Sequence, residues 1–75
     1  MQGTYNLPSG GKVRIASTRR FVVVRDIDPP RILKRSDDLA KARTERARFG
    51  NALVVDTVGR KVEVVRDFKR VWIDA

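Results

Sequence analysis

Seventy-five residues carrying twelve arginines and five lysines against nine carboxylates give the chain a formal charge of +8 at pH 7 and a pI near 11.1. A chain this short buries only roughly 60% of the surface it exposes when unfolded, so residues 1–75 are expected to form a single small basic domain with a thin core. Zero Cys and zero His exclude disulfides and the common transition-metal sites as staples, and the charge favours polyanionic partners without specifying a fold or an activity.

In chain order, Thr4-Tyr5-Asn6-Leu7 and Lys12-Val13-Arg14-Ile15 flank Pro8-Ser9-Gly10-Gly11, a pattern that predicts two short strands around a turn. Phe21-Val22-Val23-Val24, extended by Arg25-Asp26-Ile27, is the strongest strand signal, because its β-branched residues crowd out a helix. Asp28-Pro29-Pro30 ends it, and Arg31-Ile32-Leu33-Lys34-Arg35 is short enough to return as the second strand of a hairpin. Ser36-Asp37-Asp38 then offers an N-cap and two carboxylates for a first helical turn, so a helix is expected over about residues 37–49. Gly50-Asn51 should end it, with Gly50 in the left-handed conformation. Ala52-Leu53-Val54-Val55-Asp56-Thr57 and Lys61-Val62-Glu63-Val64-Val65 read as a third strand pair around Val58-Gly59-Arg60. Phe68-Lys69-Arg70-Val71-Trp72-Ile73 fits either helical spacing or a last strand. The expected fold is therefore α+β: a small antiparallel sheet built from β-hairpins with one helix packed on a face.

The helix carries the most instructive constellation. At about 100° per residue, Leu39, Ala40, Ala42, Ala47 and Phe49 share one half with Arg43 and Arg46, while Lys41, Thr44, Glu45 and Arg48 lie opposite. Two accounts of Arg43 and Arg46 are open. Their stems can cover apolar surface while the heads reach water, or their guanidinium groups, with Arg48 and Lys41, can be offered to phosphates. A second basic group is Lys12, Arg14, Arg19 and Arg20, followed by Arg25, with Lys12 and Arg14 expected on the face opposite Val13 and Ile15 and Arg19 and Arg20 in a loop able to reach a phosphate backbone. Arg31, Lys34 and Arg35 form a third group, for which local pairing with Asp37 and Asp38 is the plain expectation.

Other chemistries find little support. Ser9-Gly10-Gly11-Lys12 lacks the spacing of a phosphate loop and runs into a strand. Asp26, Asp28 and Asp56 match no calcium loop, and no nucleophile-and-base arrangement is recognisable without His or Cys. No cofactor, no metal and no enzymatic activity are expected. Among the aromatics, Phe21 and Phe49 read as core, and Trp72 is the residue to stack on a base or a partner if it is exposed. No apolar run approaches the roughly 18 residues of a membrane span, and Met1-Gln2-Gly3-Thr4-Tyr5 lacks the layout of a signal peptide. The expected location is cytoplasmic, and a homo-oligomer or a completing partner is the natural remedy for so small a core.

The segments Arg20-Phe21-Val22-Val23-Val24-Arg25 and Val54-Val55-Asp56-Thr57-Val58-Gly59, together with the bias to Arg over Lys, resemble small orphan proteins of phages infecting high-GC Gram-positive bacteria. That resemblance implies either nucleic-acid binding or the binding and disabling of a host protein. The portion from Phe21 to Phe49 also resembles sheet-plus-helix DNA-binding domains that read the major groove with strands. The expected function is non-catalytic binding of DNA or RNA through phosphate contacts from Lys12, Arg14, Arg19, Arg20, Arg43, Arg46 and Arg48. The alternative is a protein-interaction module steered by its charge to an acidic protein surface.

Overall fold

A strand such as Phe21-Val22-Val23-Val24 presents apolar side chains to both sides and needs cover on both. The computed structural model, which describes residues 2–75, provides it. Met1, where the segment read above as lacking a signal-peptide layout begins, lies outside the described residues. The elements are β1 (Gln2–Asn6), β2 (Lys12–Ala16), β3 (Phe21–Arg25), β4 (Arg31–Ser36), α1 (Leu39–Arg48), β5 (Ala52–Asp56), β6 (Lys61–Arg66) and β7 (Lys69–Asp74). β1 and β2 form a two-stranded antiparallel sheet, and the other strands form a five-stranded antiparallel sheet in the order β4-β3-β5-β6-β7. The helix carries the chain from β4, on one flank of β3, to β5 on the other.

The result is three layers, with α1 on one face of the large sheet and the β1–β2 hairpin on the other. Phe21, Val23, Ala52 and Val54 meet Ala42 on the helix side, bordered by Leu33, Leu39, Phe49 and Trp72. Val22, Val24, Val55 and Val62 meet Tyr5, Leu7, Val13 and Ile15 on the hairpin side. The fully buried Tyr5 donates its hydroxyl to the Thr57 carbonyl at 3.3 Å. Arg60 stacks 4.7 Å from the Tyr5 ring and donates to the Thr4 carbonyl at 3.0 Å. These contacts fix the hairpin to the sheet.

The expected α+β fold is the observed one, and the ambiguous tail resolves as the edge strand β7. Three local details differ. Asp38 is the N-cap, its Oδ1 accepting from Ala40 N at 2.9 Å and Lys41 N at 3.4 Å, so the first turn holds no carboxylate and Asp37 stays outside the helix. The left-handed residue after the helix is Asn51, at φ 56, not Gly50; a short polar side chain tolerates that region nearly as well as glycine does. On the helix, Ala40 and Ala47 are exposed, and Arg43 and Arg46 take partly buried positions beside Leu39, Ala42 and Phe49. The covered positions 39, 42, 43, 46 and 49 follow helical spacing, so within the half they share the arginine stems lie against the sheet while Ala40 and Ala47 face outward.

Candidate functional site

The seven cations singled out in the sequence divide between two sides of the sheet and two kinds of environment. Lys12 and Arg14 point outward from β2, with Val13 and Ile15 buried beneath them. That places them on the hairpin layer, across the sheet from α1. Arg19 and Arg20 sit in the loop before β3 and serve it structurally. Arg19 Nη1 donates to Asp37 Oδ2 at 2.8 Å, and Asp37 Oδ1 also accepts the Arg20 backbone N–H at 3.0 Å. Arg20 grips Asp56 in a bidentate pair, Nε to Oδ1 and Nη2 to Oδ2, both at 3.0 Å. The Arg20 hydrogen bonds, helped by the Val58 and Gly59 N–H groups, hold the Asp56 carboxyl below the usual carboxylate range against the opposing effect of its burial. The Arg19 hydrogen bond, with that of the Arg20 backbone, lowers Asp37 in the same direction.

On the helix, Arg43 is committed to Glu63. Its Nε lies 3.2 and 3.1 Å from the two carboxylate oxygens and its Nη2 lies 2.6 Å from Oε2. Glu63 projects from β6 onto the helix side, between Val54 of β5 and Trp72 of β7, and is buried. The hydrogen bond to Glu63 raises the Arg43 pKa further, so this guanidinium is charged at every accessible pH. Arg48 makes only a 3.6 Å contact with Glu45, one turn back.

Arg46 differs from the other two helix arginines. It has no carboxylate partner, and its Nε is buried without a hydrogen bond. It lines a groove of about 460 Å³ between α1 and the β7 edge, together with Ala40, Arg43, Thr44, Ala47 and Arg70. It also borders a hollow of about 310 Å³ below the helix C-terminus, beside Phe49, Val64 and Val65. Nearby on the helix side of β3, Arg25 lies 5.8 Å from the Phe49 ring with a second buried, unpartnered Nε. The exposed alanines leave the groove open, so an anion can approach guanidinium groups from two elements. Cations at a helix C-terminus also interact favourably with its dipole, which adds to the tolerance of Arg46 and Arg48 there.

Arg70, Arg25 and Phe68 were not singled out in the sequence as site residues. Phe68 stands in the two-residue loop between β6 and β7, with a relative exposure of 104%. Trp72, the aromatic for which exposure was considered, is half-buried against the helix-side core. The signal for Phe68 was the spacing Val64-Val65, five residues, Val71-Trp72, which suits a hairpin; the five residues Arg66-Asp67-Phe68-Lys69-Arg70 contain none of the usual turn glycines or asparagines. Contrary to the expectation of local pairing, Arg31, Lys34 and Arg35 do not pair with Asp37 or Asp38. Asp37 turns to Arg19 and Asp38 caps the helix, which leaves the β4 edge cationic.

Among the described residues no group of three His, Cys, Asp or Glu side chains gathers where a metal ion could be held, and no helix is long and apolar enough to cross a membrane. Comparison with protein-family models, with curated proteins and with solved structures finds no match to this chain.

Proposed function

We propose that this chain is a non-catalytic nucleic-acid-binding domain that takes phosphate groups on the arginine-lined groove between α1 and β7. The observation that carries the reading is Arg46, a guanidinium without a carboxylate partner that lines a groove shared with Arg43 and Arg70. A cation held against apolar surface with donors to spare is suited to a phosphate oxygen, which accepts charge-assisted hydrogen bonds from a fork of N–H groups. Arg43 contributes charge while staying bound to Glu63. Arg48 extends the basic surface along the helix, and Lys12, Arg14, Arg19 and Arg20 add to the general attraction from other parts of the molecule.

The test is fluorescence anisotropy of labelled duplex and single-stranded DNA between about 50 and 200 mM salt, where phosphate-driven binding changes steeply. Submicromolar binding with a linear log-log salt dependence is expected. Arg46→Ala with Arg70→Ala should weaken binding and reduce the slope by about two, one per phosphate contact removed, and Lys12→Ala with Arg14→Ala should change it less. Absence of binding at the low-salt end rejects the reading.

A second reading has an observation of its own. β7 is an open edge of the large sheet carrying Lys69 and Arg70, and an acidic extended segment of a protein partner could add to it as a further strand. That would make the chain a protein-interaction module, and retention of a partner by wild-type protein that binds no DNA would favour it.

A further inference from the structure

From the β6–β7 hairpin we infer that Phe68 is a stacking platform for an unpaired nucleobase, so that the domain prefers single-stranded nucleic acid to duplex. The inference rests on the nucleic-acid reading above and names the form of the ligand. Both residues of the hairpin loop have positive φ, Asp67 at 51° and Phe68 at 64°. A two-residue loop of this kind is normally built from Asn-Gly, because a bulky side chain there is strained. Strain of this kind in a surface turn is a pointer to function, and here it coincides with an aromatic ring that touches nothing.

The surroundings of the ring select the partner. Register places Arg66 opposite Lys69 on the hairpin side of the ribbon, and Val65 opposite Arg70 on the helix side. Phe68 is thus bracketed by cations on both faces of the ribbon. The exposed Val65 and Val71 lie on opposite faces, so they do not join Phe68 into the contiguous apolar patch that a protein partner or a lipid surface would use. Asp67 beside the ring also disfavours an anionic membrane. A ring between cations is instead the arrangement that single-strand binders use, with bases stacked on the aromatic and phosphates held alongside. Arg70 ties the two parts together. It lies two residues from Phe68, about 7 Å of extended chain, and lines the same groove as Arg46. A strand with its phosphates on Arg46 and Arg70 would present its next base at the tip.

The experiment uses the full chain with a single-stranded oligonucleotide carrying 2-aminopurine, the matching duplex, and vesicles of phosphatidylserine with phosphatidylcholine. Wild-type protein should bind the single strand more tightly than the duplex and quench the 2-aminopurine. Phe68→Ala should lose about 5- to 160-fold in single-strand affinity, the range found for one stacked base, with an unchanged salt slope because no charge is removed; Phe68→Tyr should keep most of the affinity. The variant Asp67→Asn with Phe68→Gly suits the turn better than the natural residues. It should therefore melt at or above the wild-type temperature while binding as weakly as Phe68→Ala, which separates stacking from folding. Single-strand affinity unchanged in Phe68→Ala, with the salt slope intact, overturns the stacking inference and leaves phosphate binding standing. Loss of all DNA binding in the wild type overturns both, and Phe68-dependent binding to vesicles but not to the single strand would make the tip a lipid contact instead.

Discussion

Arg43 and Arg46 are one helical turn apart, share the same arc of α1 and have opposite expected consequences on truncation. Arg43 satisfies a carboxylate whose side chain is 1% exposed. Arg43→Ala would leave the Glu63 carboxyl buried and unpaired, and removal of one partner of a buried pair costs about 3 kcal/mol or more. Urea denaturation should show a lower midpoint, and adding Glu63→Leu should recover much of the loss, since replacement of both partners by apolar groups is close to neutral. Arg46→Ala removes a group with no carboxylate partner, so stability should fall by less than about 1 kcal/mol, mostly from lost contact along its stem, while DNA affinity falls. The sequence placed both arginines in the helix arc nearest the sheet, and that was legible. The difference between them was not, because it depends on Glu63, twenty residues away. In Lys61-Val62-Glu63-Val64, alternation marks Glu63 as a solvent-side residue. The Arg43 side chain reaches from the helix over that side of β6, and its guanidinium makes burial of the carboxylate tolerable.

At the scale of elements, most hairpins could be read because their turns use residues with a conformational reason to be there. Gly10 supplies φ 95 between β1 and β2. In the β5–β6 turn, a Cβ on Gly59 would come within 3.0 Å of the Asp56 carboxylate. The β6–β7 turn lacked such a marker, which is why residues 68–73 read equally well as helix or strand. An L-residue in the left-handed region costs roughly 1–2 kcal/mol, so Asp67→Asn with Phe68→Gly should raise stability by about 1 kcal/mol or more. For a domain of this size that is several degrees in melting temperature, measurable by circular dichroism. The helix start gives a complementary prediction. Asp38→Ala removes the acceptor for Ala40 and Lys41 N–H, with an expected cost of about 1 kcal/mol, whereas Asp38→Ser should retain most of the cap. Placing Ser36, Asp37 and Asp38 together before the helix was enough to locate its beginning to within two residues, but not to say which of the three was the cap. That choice is made by Arg19 and the Arg20 backbone, which engage Asp37 from a loop eighteen residues earlier.

Over the whole molecule, the carboxylates act chiefly as ties and the surplus arginines as surface. Asp37 and Asp56 bind the Arg19-Arg20 loop to the helix start and to the β5–β6 turn, and Glu63 binds α1 to β6. Of these, Asp37 and Asp56 have folded pKa values below the ordinary carboxylate value of about 3.9. The unfolded chain therefore takes up these protons first, so their contribution to stability is complete above the unfolded value and is lost as pH falls from about 4 through the lower folded values. With no histidine in the chain, nothing in the usual set of side chains titrates between about pH 5 and 8. Urea midpoints should be flat across that interval and fall steeply below about pH 4. Asp56→Asn should lower the plateau, because it breaks the bidentate pair with Arg20, and should also make the acid limb shallower, because one of the protons that drives it is gone. DNA binding by arginines should be level over the same neutral interval, since guanidinium groups do not titrate there. A transition near pH 6 to 7 in either measurement would contradict this division of roles, and a wild-type acid limb left unchanged by Asp56→Asn would show that Asp56 is not one of the ties.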